Sequence, residues 1–242
     1  MLLGLLISLF PIAMATSPYP LDKLHSILQQ TEPMRQYRIS QTTPNIPLSA
    51  YQKVSAGTVT TGLQGQTGWG IGIFKIGIQE MFAAINQEEA HVSLSPVDFT
   101  KVIQGQPCTN NRLVMMHLPI PMLSDRWWVT KQRTNAPLRS KSDGRMAELT
   151  WEAVDDRNQF SLDSTSQTYT NDAVWVTQSS GAWLLIKLDE EHTLGEYHAW
   201  SKPGGYIPSG LAASLGASGI EQTFAAMESF AQNNQEECSF NW

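Results

Sequence analysis

The sequence predicts an α+β fold: a curved antiparallel β-sheet wrapped around a long C-terminal α-helix, with a hydrophobic cavity between them. Three observations carry this reading. Strand candidates follow one another through residues 99–200 without the βαβ alternation that a doubly wound sheet requires. A broad apolar stripe of Leu211, Leu215, Ile220, Phe224, Met227 and Phe230 then closes the chain as a helix over Leu211–Gln232. One helix cannot fill the concavity of a wide curved sheet, so the residual space is a natural ligand cavity.

The 242 residues suit one large domain, and 41% hydrophobic with 16% charged residues is a globular composition. A net charge of -6 argues against a nucleic-acid partner, which needs a basic face, and against a polybasic membrane tether. Eight tryptophans either fill a core or line a pocket for an apolar ligand.

Leu2 to Phe10 is apolar and runs into Ala13-Met14-Ala15, a short hydrophobic region with an A-x-A cleavage pattern, although no Lys or Arg precedes it. A bilayer span takes about 20 apolar residues, so this segment is too short for one. The expectation is an export signal over 1–15 and a mature chain from near Thr16, periplasmic or secreted, with a buried N-terminal helix as the alternative. An exported protein can bridge its even pair, Cys108 and Cys238, and a bridge would pin the polar tail to the sheet. Two unpaired thiols are the alternative. Neither cysteine adjoins a His or a helix N-terminus, so thiol catalysis is not indicated.

Leu21, Leu24, Ile27 and Leu28 recur at helical spacing and predict a helix to Gln30, followed by a loop marked by Pro33, Pro44 and Pro47. Val54–Thr61 is β-branched and reads as a strand, Gly62–Gly68 as a turn, and Trp69–Ile76 as a second strand. Ile78, Met81, Phe82 and Ile85 share one face of a helix over Ile78–Gln87. Strands follow at Phe99–Gly105, Arg112–Leu118, Arg126–Thr134 and Met146–Val154, with Asp143-Gly144 as a hairpin signal before the last. Asp155–Asn171 reads as a polar loop. Ala173–Gln178, Trp183–Leu188 and Thr193–Trp200 complete the strands, and Gly216 and Gly219 weaken the first half of the final helix. The expected division is an N-terminal helix and linker over 16–47, the ligand-binding domain over 48–232, and a tail over 233–242.

Three stretches carry a resemblance. They are Ile78–Asn86 as a short helix after the opening strands, Pro119-Ile120-Pro121 with Ser124-Asp125-Arg126 as a central loop and strand start, and Trp183–Trp200 followed by Pro203-Gly204-Gly205-Tyr206-Ile207-Pro208. In this order they resemble the START (steroidogenic-acute-regulatory-related lipid-transfer) domain and its helix-grip superfamily. The resemblance implies a cavity for one hydrophobic molecule and no cofactor. Members of the family often keep an acidic residue before the Pro-x-Pro loop and a cavity Arg six residues after the loop Arg. Met115 and Gln132 occupy those places here, which favours an apolar or hydroxyl-bearing ligand over an anionic lipid.

Period-two alternation puts Arg126, Trp128, Thr130 and Gln132 on one face of their strand and Trp127, Val129, Lys131 and Arg133 on the other. The first set is assigned to the cavity, because Lys and Arg suit solvent. Gln132 can orient a ligand hydroxyl. Arg126 either fixes the Pro-x-Pro corner, through Asp125 or a loop carbonyl, or points at ligand. Met115 and His117 are further cavity candidates, although either face of their strand can be inward. Tyr197 lies beside small residues and can offer its hydroxyl; a plain sheet tyrosine is the alternative. Phe224 and Met227 serve equally as cavity wall or dry core.

There is no G-x-S-x-G elbow and no H-E-x-x-H motif, and five scattered histidines give no metal signature. The expected function is non-catalytic binding of a lipid or other small hydrophobic molecule by a monomer, with transient membrane contact and neither cofactor nor metal. A cyclase or dehydratase on the same scaffold, using Tyr197, His117 or Arg126, is the alternative. A cavity-poor interaction domain is a third reading.

Overall fold

The computed structural model describes residues 18–88, 92, 97–205, 209–233, 238 and 240, with the backbone alone for 209–218. The expected export segment, Tyr206-Ile207-Pro208 and the side chains of Leu211 and Leu215 lie outside these. No described helix is long and apolar enough to cross a membrane.

Helix α1 (Leu21–Thr31) leads into a 3-10 turn (Glu32–Tyr37) with Pro33 in its first turn, and α2 spans Leu48–Ser55. The expected strand from Val54 is corrected here. Ala50 and Val54, four residues apart, form a buried helical face against Leu24, Ile71 and Leu184, and extended structure begins only at Thr60. Strands β1 (Thr60–Gln64) and β2 (Thr67–Phe74) meet at a two-residue turn, with Gly65 at φ 62°, narrower than the expected turn over 62–68. Helix α3 follows at Ile78–Ile85. Strands β3 (Phe99–Gln104), β4 (Arg112–Leu118), β5 (Arg126–Thr134) and β6 (Met146–Ala153) form a meander.

Between β5 and β6 the expected hairpin turn is preceded by a short helix, α4 (Ala136–Lys141). The Asn135 side chain caps it by accepting from the Leu138 N–H at 3.0 Å. The reversal itself falls at Asp143 (φ 51°) and Gly144 (φ 72°). The polar stretch after β6 contains α5 (Ser164–Thr168) and lays Phe160 and Leu162 over the sheet. The strand expected at Ala173–Gln178 is only β7 (Val174–Trp175), parallel to the start of β5; β8 then takes Gln178–Lys187, and β9 is Thr193–Lys202.

The sheet order is β1-β2-β9-β8-β6-β5-β4-β3, antiparallel apart from β7. Helix α6 (Ser209–Asn233) crosses the concave face. It lies closest to β2, where Gly68, Gly70 and Gly72 share the inward face. A Cβ on Gly70 would come within 2.5 Å of Ile220, and one on Gly72 within 2.9 Å of Phe224. The glycines are therefore required for close approach. Phe74, Met81, Phe82, Trp183, Leu185, Phe224 and Met227 form the inner core. The opposite face has two covers. Helices α1 and α2 roof β2, β9 and β8, while Phe160 and Leu162 roof β4 and β5. Cys108 and Cys238 are joined by a disulfide, Cα–Cα 5.5 Å, and the Phe240 ring rests 4.7 Å from that of Phe82. The C-terminal tail is thus fastened beside α3.

Candidate functional site

Strand register decides which side chains meet inside. Arg126, Trp128, Thr130 and Gln132 of β5 stand opposite Leu118, Met116, Val114 and Arg112 of β4. Gln132 Oε1 accepts from Arg112 Nη2 at 2.7 Å, and Arg112 reaches Asn86 and Glu88 at the end of α3, which packs on α6. This set therefore faces the concave side. The opposite set is not solvated as expected, because Trp127 and Val129 are 5% and 0% exposed beneath Phe160 and Leu162. Lys131 and Arg133 alone keep partial exposure there.

Met115 and His117 need correction. They stand opposite Val129 and Trp127, on the outer face, and share no wall with Trp128 or Thr130. Met115 packs in the outer cluster. His117 Nδ1 lies 2.6 Å from Asp98 Oδ1, and its ring meets Tyr169 edge-on. Arg126 holds the two loops. Its Nε donates to Pro203 O at 2.9 Å, Nη2 to Gly204 O at 3.1 Å, and Nη1 to Ser124 O. The guanidinium thus clips the Pro-x-Pro corner to the Gly-Gly turn.

Tyr197, Phe224 and Met227 reach the concave side. Phe224 stacks on Phe74 at 5.3 Å and tilts against Trp183 at 4.9 Å; Tyr197 lies 4.8 Å from Trp183 and 5.6 Å from Trp151. Burial pushes the Tyr197 phenol up to about 12, so it keeps its proton and serves as a donor. This half of the interior is an aromatic core. Toward β3–β5 the chemistry changes. The buried Thr130 and Thr100 hydroxyls, on inward rows of β5 and β3, have no hydrogen-bond partner. Buried polar groups are normally paired, so these mark positions a bound molecule can satisfy.

The Arg112–Glu88 pair was not legible beforehand. Arg112 is fully buried and also donates to Thr109 O at 2.7 Å. Gln132 is served by a guanidinium from the neighbouring strand. The available signal was the register, since Arg112 is the cross-strand partner of Gln132.

A second polar constellation lies on the outer face, beneath the N-terminal segment. Arg35 holds Glu196 through both terminal nitrogens, at 2.8 and 2.5 Å, and Tyr51 adds a bond at 3.1 Å. Burial alone would raise the Glu196 carboxyl; Arg35, then Arg38 and Tyr51, hold it below the ordinary carboxylate value. Arg38 Nε donates to Glu148 Oε1 at 2.9 Å. The His198 ring, 3.1 Å from the Ser40 hydroxyl, is lowered to about 4 by burial and by Arg38.

A pH dependence follows. Between pH 6.5 and 4 the unfolded chain binds a proton at His198 that the folded chain does not, so stability falls as pH falls across that window, by about 3 kcal/mol. Glu196 adds a loss in the same direction at lower pH. Chemical denaturation at a series of pH values will show this slope, and His198→Gln will flatten it between pH 6.5 and 4. An unchanged slope in the variant would refute the assignment to His198.

Among the described residues no group of His, Cys, Asp or Glu could hold a metal ion. No family model matches the sequence, and no curated protein matches it. Solved structures do. A STAR-related lipid transfer protein from Xanthomonas axonopodis (fragment 25–204) is 19% identical over 72% of this chain and 93% of that one, with a TM-score of 0.56. Human STARD10 is 14% identical over 82% and 84%, TM-score 0.57. Human StAR-related lipid transfer protein 5 is 12% identical over 89% and 99%, TM-score 0.54. The chain has a START-like helix-grip fold.

Proposed function

We propose that this protein binds one lipid or other small hydrophobic molecule inside the helix-grip interior, without catalysis. The supporting observation is that the Thr100 and Thr130 hydroxyls, on the inward rows of β3 and β5, are buried and unpartnered on the same side of the sheet as the aromatic core. Such an arrangement suits a ligand with an apolar body and a hydroxyl or carbonyl. Burial of its apolar area, worth about 25 cal/mol per Å², would drive uptake before ordering costs. The names of the similar structures, lipid transfer proteins, point the same way. A cyclase finds less support in the side chains: Arg126 is bonded to loop carbonyls, His117 faces outward, and Tyr197 holds its proton tightly. The Cys108–Cys238 disulfide supports an oxidising compartment and hence export.

The test is native mass spectrometry of the full chain purified from a lipid-rich host. A one-to-one adduct of lipid mass, lost on denaturation and weakened at least threefold by Thr130→Val, is expected. A chain that stays ligand-free after incubation with sterols, phospholipids and fatty acids would overturn the proposal.

A further inference from the structure

The outer constellation borders a pocket of about 720 Å³, on the far side of the sheet from the helix-grip interior. It lies between α1, the 3-10 turn, the segment before α2, and β9. Leu28, Ile46 and Leu48 supply apolar wall; Arg35, Arg38 and Tyr51 supply polar wall.

The hydrogen bonds of this wall are unbalanced. Both oxygens of Glu196 are taken by Arg35, and one also accepts from Tyr51. Glu148, behind the wall, accepts from Arg38 Nε, the Ile39 and Ser40 N–H groups and Asn135. The two buried carboxylates are therefore saturated, while Glu32, 71% exposed, takes only Arg35 Nε at 3.1 Å. Arg38, 7% exposed, has spent only its Nε; among the described residues neither terminal nitrogen has an acceptor, and Nη2 is buried. His25 Nε2, also on the wall, is buried without a partner. Spare donors beside two sated, buried carboxylates select a ligand oxygen, and the free fork of an arginine matches a carboxylate in two parallel bonds. The two buried ion pairs, Arg35–Glu196 and Arg38–Glu148, are each neutral, and the third carboxylate of the wall, Glu32, stands exposed to solvent at the rim. A dianion such as phosphate would face Glu196 and Glu148 without compensation.

We propose that this outer pocket is a second binding site, specific for a small organic carboxylate seated on the free fork of Arg38, with its apolar body against Leu28, Ile46 and Leu48. It is independent of the interior and of what the interior holds.

The test uses the full chain, 4-phenylbutanoate and its amide, with calorimetry and NMR of the His198 ring. The expected result is saturable one-to-one binding of the acid, a shift of the His198 signals, and at least tenfold weaker binding of the amide. Arg38→Lys keeps a charge for Glu148 but removes the fork, and should weaken the acid at least tenfold. Leu48→Trp narrows the mouth at a position 61% exposed, and should do the same even if Arg38→Lys fails to fold. Thr130→Val, on the other side of the sheet, should leave the acid's affinity for the outer pocket unchanged even as it weakens an interior ligand. No binding, equal binding of the amide, or binding that survives Leu48→Trp but is lost in Thr130→Val would overturn the proposal.

Discussion

Reducing the Cys108–Cys238 disulfide is expected to cost about 2–5 kcal/mol of stability, the range for a native bridge closing a long loop. The bridge spans 130 residues of sequence, so it removes much freedom from the unfolded chain. At roughly 2–4 °C per kcal/mol for a chain of this size, the midpoint should drop by about 4–20 °C. Thermal melts with and without reductant measure this. Cys238→Ser should reproduce the reduced value and be insensitive to reductant. A drop below about 2 °C would mean that the Phe240–Phe82 contact holds the tail by itself.

Arg112→Met should cost about 3–5 kcal/mol, because it leaves Glu88 buried without its cation. The loss should be much larger than any benefit from the added apolar surface. The double variant Arg112→Met with Glu88→Leu removes both charges and should recover most of the stability, as replaced buried pairs often do. Urea unfolding of the two variants decides the matter. If the double variant is no more stable than the single, the guanidinium's bonds to Asn86, Thr109 and Gln132 matter more than the pair.

The middle of the sheet was readable because its chemistry is local. Arg112–Leu118 and Arg126–Thr134 are apolar and aromatic-rich runs bounded by Asn, Pro and Asp, and both strands fall where those boundaries put them. The inward set on β5 followed from alternation, but the reason offered for it failed. Phe160 and Leu162, inside a polar stretch, cover Trp127 and Val129, and no period in that stretch announces it. Val54 misled because a β-branched residue starts the run although it ends a helix. Met115 and His117 were placed without the β4–β5 register, and one residue of offset exchanges the faces. The outer pocket joins residues 25–51 to 196–198, a pairing no local pattern encodes.

The bare backbone at Gly68, Gly70 and Gly72 gives the two sides of the interior different evolutionary latitude. On β2 almost any substitution would push Ile220 or Phe224 outward, so that side is held to glycine by geometry. The row of Val114, Met116, Trp128 and Thr130 carries side chains rather than bare backbone, and exchanges there alter the volume and polarity of the interior. A lineage of such proteins can therefore retune what fits inside by drifting on one side of the sheet alone, while the seam that seats the helix stays fixed.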